Sequence, residues 1–87
     1  MEEQEQMELI GVDDAQRAAE RFILGRNPKA KINFSKAMLR QIGTEAVYEV
    51  EGDFTVGGGL FSSGSKRLVN IKIQVHAYTA KIVGYEM

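Results

Sequence analysis

The sequence predicts an α+β fold, one N-terminal helix packed on a four-stranded antiparallel β-meander. Two observations carry that prediction. The first is a pair of alternating runs: in 46–55, Ala46, Tyr48, Val50 and Phe54 share one face, with Glu49, Glu51 and Asp53 on the other. In 67–77, Val69, Ile71, Ile73 and Val75 oppose Asn70, Lys72, Gln74 and His76. Side chains alternate across a strand, so each run is a strand with one buried and one wet face, and together they form a hairpin. The second observation is Ala15, Ala18, Ala19, Phe22 and Ile23 recurring at helical spacing, with Gln16, Arg17, Glu20 and Arg21 between them. That pattern predicts an amphipathic helix whose small residues let it lie close to the sheet.

Met1–Glu8 holds four glutamates and two glutamines and is expected to be a disordered acidic terminus, leaving 9–87 as a single domain. Asp13 or Asp14 is the expected N-cap, because a short carboxylate accepts orphan amide hydrogens of a first turn. Gly25 is the expected C-terminal cap, and Pro28, the sole proline, forbids continuation, which gives a helix of about 12 residues. Lys29–Ile42 suits helix or strand. Ile32, Phe34, Met38 and Ile42 share a phase that Lys36 and Arg40 interrupt, so a strand with an irregularity near Ser35–Ala37 is expected, with Phe34 and Ile42 in the core. Gly43-Thr44-Glu45 then turns into the next strand, and Lys81–Tyr85 returns as the last one after a turn at Tyr78-Thr79-Ala80.

Composition excludes several classes. There are 87 residues, 44% hydrophobic and 26% charged, which is one ordinary globular core. No cysteine is present, so neither disulfides nor thiolate metal sites are available. The net charge of −1 argues against a large electrostatic footprint for nucleic acid. No apolar run reaches the roughly 18 residues that span a bilayer. As written the N-terminus lacks a leader pattern, so the expected compartment is the cytoplasm, or extracytoplasmic if a leader was removed.

Asn27-Pro28 after the helix, Val47-Tyr48-Glu49-Val50-Glu51 in the central strand and the closing Ile73–Glu86 stretch resemble the PepSY domain family. Members often close with Val-Asp-Ala-x-Thr-Gly-Lys-Ile-Val. Here the run is Val75-His76-Ala77-Tyr78-Thr79-Ala80-Lys81-Ile82-Val83, with His76 where aspartate is usual and Ala80 where glycine is usual. The resemblance covers Val12 to Glu86, although the long Gly57–Lys66 loop is atypical. It implies a non-catalytic module of the kind found in propeptides of thermolysin-like metallopeptidases and in bacterial envelope proteins, where peptidase inhibition or regulation has been proposed.

Candidate chemistry is sparse. His76, the only histidine, has no companions at ligand or catalytic spacing and falls on a wet strand face. Glu49, Glu51 and Asp53 stand roughly 6.5–7 Å apart along a strand, a spacing open to a hydrated divalent cation, but a salt ladder with Lys72 and with Lys66 or Arg67 is sufficient explanation. Gly59–Lys66 resembles a phosphate loop, but Ser65 intervenes before the lysine and no helix follows. Lys66, Arg67, Lys72, His76, Lys81 and Tyr78 suit single-stranded nucleic acid, though the acidic row would repel phosphates. A small-ligand pocket beside Ala18 and Ala19 is a further alternative.

Leu60 and Phe61 are the strongest partner-binding candidates: two large apolar side chains at the centre of a glycine-serine loop must be covered by the core edge or by a partner. The expected function is therefore non-enzymatic, a protein-binding or regulatory module acting through a sheet edge and this loop. Its partner is another protein or a second copy. No catalytic residue, cofactor or metal is assigned.

Overall fold

The computed structural model describes residues 8–57 and 66–87. One helix, α1 (Val12–Arg26), precedes four strands: β1 (Lys31–Ile42), β2 (Glu45–Gly57), β3 (Lys66–His76) and β4 (Ile82–Glu86). The strands form one antiparallel sheet in the order β1-β2-β3-β4, with the helix against one face, so the predicted α+β meander is the architecture.

The helix is longer than expected at both ends. Its N-cap is Gly11, extended at φ −79° and ψ 164°, and Asp13 and Asp14 lie inside the first turn. Asp14 acts from there: its carboxylate accepts the Gly11 N–H at 3.2 Å and pairs with Arg17 at 3.1 Å. Two carboxylates in that turn also suit the positive end of the helix dipole. At the other end Gly25 stays helical, because Pro28 and not glycine ends the helix. A residue before proline is pushed out of the helical region; Asn27 accordingly sits at φ −136° and ψ 83°, still donating its N–H to the Ile23 carbonyl at 2.8 Å.

The β1 irregularity is a bulge. Phe34 faces Gly52 and Lys36 faces Glu51, leaving Ser35 as the extra residue, with its hydroxyl donating to the Glu51 carbonyl at 3.3 Å. One inserted residue reverses the parity of everything after it. Ile32 and Phe34 therefore share the helix-bearing face with Ala37 and Leu39, whereas Met38 and Ile42 turn to the opposite face with Lys36 and Arg40. Ile42 is 46% exposed, which corrects its expected place in the core; Phe34 packs against the core as expected. The bulge brings β1 so close to β2 that a Cβ on Gly52 would collide with the Asn33 carbonyl oxygen and sit 2.8 Å from the Phe34 Cα. Gly43, at φ +62°, opens the two-residue loop between Ile42 and Glu45, the position where a hairpin turn of this kind needs positive φ.

Ala15, Ala18, Ala19 and Ile23 from the helix meet Tyr48, Val50, Phe54, Ile71, Ile73 and Val75 from the sheet and Ala77 from the turn after β3. Two clasps fix the helix in place. At its start the Ile10 N–H donates to the Ala77 carbonyl and the Tyr48 hydroxyl donates to the Ile10 carbonyl, both at 2.8 Å. At its end the Phe22 and Tyr85 rings lie 4.9 Å apart, with the Arg26 guanidinium 4.6 Å over the first and 4.9 Å over the second. A 15-residue helix is about 22 Å long, whereas a 13-residue strand spans about 43 Å, so the helix is too short to cover β2 from end to end. No described helix is long and apolar enough to cross a membrane.

Candidate functional site

The face of the sheet away from the helix is charged and ordered in rows. Lys36, Glu51, Lys72 and Glu86 stand opposite one another across all four strands, so the signs alternate from edge to edge. Opposite charges in such cross-strand positions contribute roughly 0.2–1 kcal/mol each. The row holding Met38, Glu49 and Gln74 lies beside it. Glu49 is not wet, as the alternation predicts, but only 8% exposed, and its carboxylate accepts from the Arg40 guanidinium at 3.1 Å. Val47, next along on the same face, is also buried. The acidic row thus works partly as a ladder, with β1 supplying the base that Lys66 and Arg67 were expected to provide. Those two residues pair with Gly57 and Val56, far along the hairpin from the glutamates.

His76 has a structural task that residue spacing alone did not reveal. Its Nδ1 accepts the backbone N–H groups of Tyr78 and Thr79, each at 3.3 Å, which places the ring hydrogen on Nε2, 3.3 Å from the Glu45 carboxylate. The same turn is closed by the Ala80 N–H donating to the His76 carbonyl at 2.9 Å and by the His76 N–H donating to the Lys81 carbonyl at 2.7 Å. Ala80 takes φ +64°, the left-handed region in which a Cβ is strained. Histidine here holds a hairpin end, with both ring nitrogens committed.

Among the described residues no group of three or more histidine or acidic side chains could hold a metal ion. A concavity of about 520 Å³ lies on the open face against Ser35, Glu51, Asp53, Asn70, Lys72 and Glu86. It is a broad open trough on the sheet surface, not an enclosed cavity. Ala18 and Ala19 are buried in the core cluster, so their small size brings the helix onto the sheet. The basic residues considered for nucleic acid are divided: Lys66 faces Gly57 at one end of the hairpin and His76 faces Val47 at the other, roughly 33 Å apart along β3.

Leu60 and Phe61 lie outside the described residues. Within them Leu68 of β3 and Val83 and Tyr85 of β4 are exposed singly or on a five-residue strand, whereas β1 carries three exposed large apolar side chains along one edge strand. Met38, Leu39 and Ile42 are 41%, 48% and 46% exposed. No other described strand pairs with the outer side of β1. The twelve residues of β1 include Lys31, Lys36 and Arg40 and no acid. Sequence pattern placed Ile42 inside because it assumed one phase for the whole strand; Lys36 and Arg40 interrupting that phase were the sign that the parity changes. No protein-family model matches the chain, and no curated protein or solved structure is significantly similar to it.

Proposed function

We propose that this protein is a small non-catalytic binding or regulatory module that recruits a protein partner by strand addition at the β1 edge. The observation that carries this reading is the edge itself, a 12-residue strand unpaired on its outer side among the described residues, with Met38, Leu39 and Ile42 exposed along it. Outward amide and carbonyl groups of an edge strand are a template for another strand, and neighbouring apolar side chains add area to the contact. The loop carrying Leu60 and Phe61 is the second proposed contact.

A peptidase-regulating role rests on the likeness to PepSY domains. The closing hairpin supports that likeness at the two places where the sequence departs from the family pattern. His76 Nδ1 accepts the backbone amides that an aspartate carboxylate takes in an Asx turn. Ala80 adopts the φ that a glycine there holds without strain.

The test compares three proteins as bait in a native lysate: the intact chain, a Met38→Lys/Leu39→Lys variant and a Leu60→Ser/Phe61→Ser variant. Both β1 positions are exposed, so the first variant is expected to unfold within a few degrees of the parent while losing the captured partner. Full retention of every partner by the β1 variant overturns the edge reading, and loss only in the loop variant transfers recognition to the loop.

A further inference from the structure

Resting on that reading of the β1 edge, we infer that its occupant is an extended acidic segment of another protein, laid antiparallel along Lys36–Ile42. The open-face charges point to this chemistry. Signs alternate across the sheet in the row Lys36–Glu51–Lys72–Glu86, so a fifth strand beyond β1 continues the alternation only by placing an acid opposite Lys36. On the same face β1 presents Lys36, Met38, Arg40 and Ile42 in turn, base and apolar side chain alternating. The complementary segment therefore carries acid, apolar, acid, apolar at every second position. Leu39, exposed on the helix-bearing face, favours an apolar or β-branched residue among the intervening ones. Arg40 already donates one bond to Glu49, but half of its side chain remains exposed and its guanidinium has further donors for a second carboxylate.

The same charges disfavour pairing with an edge strand of a second copy. In antiparallel β1–β1 pairing, a two-fold axis at Lys36, Met38 or Arg40 sets Lys36 against Lys36, Lys36 against Arg40, or Arg40 against Arg40. An axis at Ala37 or Leu39 moves the bases only to diagonal positions, and β1 has no acid to offer in any register. Like charges directly across strands are destabilising. The β4 edge of a second copy brings only Glu86 on five residues, and head-to-tail pairing of that kind propagates as an open chain.

The test uses the full chain and two synthetic peptides, Val-Thr-Glu-Thr-Val-Thr-Glu and its counterpart with lysine in place of glutamate, titrated to millimolar concentration. Amide exchange and chemical-shift mapping locate the contact. The expected result is slowed exchange in Lys36–Ile42 with the acidic peptide, an affinity at least about tenfold above that of the basic one, and weakening by salt. Lys36→Glu is expected to reverse the preference, and Lys36→Gln, which adds no like charge beside Glu51, to reduce it. Equal binding of both peptides overturns the acidic partner while leaving the edge as a docking strand. Binding of neither overturns the edge reading as well. Self-association of the chain that protects the same amides assigns the edge to a second copy and overturns the inference.

Discussion

The two faces of this sheet are built from the same strands, yet different forces act on them. Toward the helix, Tyr48, Val50, Phe54, Ile71, Ile73 and Val75 are buried against three alanines and Ile23. Burial of this kind is non-directional and worth about 1.5–3 kcal/mol for each large side chain. Away from the helix, Glu51 and Lys72 face each other across strands, Glu49 pairs with Arg40, and His76 lies 3.3 Å from the Glu45 carboxylate. The exposed members of that set contribute little to stability, the nearly buried Glu49 excepted. They do decide what can lie beside them. The helix-bearing face therefore supplies most of the apolar burial, while the other carries the charge pattern on which the proposed strand addition rests.

The sharpest way to break that comparison is a pair of neighbours on β3. Ile73 is fully buried, and Ile73→Ala is expected to lower stability by about 2–4 kcal/mol through lost transfer energy and the cavity left behind. Lys72, the adjacent residue on the open face, is expected to change stability by less than about 0.5 kcal/mol when replaced by alanine. Chemical denaturation of both variants checks the contrast, and equal losses would show that the open face carries structural weight. Arg40→Met is an intermediate case. It removes the donor from the nearly buried Glu49 carboxylate, and leaving such a group unpaired costs about 1–3 kcal/mol. Adding Glu49→Gln should recover part of the loss, measured as a double-mutant cycle; strict additivity would mean that the two side chains do not interact.

A smaller effect than those at Ile73 and Arg40 concerns the hairpin end that His76 holds. Ala80→Gly relieves a left-handed alanine, a strain of about 1–2 kcal/mol, against a gain in unfolded-chain freedom of about 0.4–1 kcal/mol. The expected result is net stabilisation by about 0.5–1 kcal/mol, or a few degrees in the thermal midpoint. A destabilised variant would mean that the side chains around the turn, not its backbone, hold it open to alanine.

Much of the fold was legible because it depends on near-neighbour patterns. The alternations in 46–55 and 67–77 and the helical spacing from Ala15 to Ile23 are local, and the elements appear where those patterns lie. The candidate site was less legible. Its exposed apolar residues, Met38, Leu39 and Ile42, owe their positions to a single extra residue, Ser35, whose placement depends on how close β1 comes to Gly52. Burial of Glu49 was hidden for a related reason, since its partner Arg40 is nine positions away on another strand.

By itself the sequence determined the helix, the two strands of the central hairpin and which face of that hairpin is apolar. Each of these follows from the periodicity of side chains along a few consecutive residues. Tertiary structure alone decided the parity of β1 beyond its bulge, the ion pair that covers Glu49, and the use of both His76 nitrogens in a turn. Those depend on the register between strands, which is set where backbones touch across the sheet and is written in no single stretch of the chain.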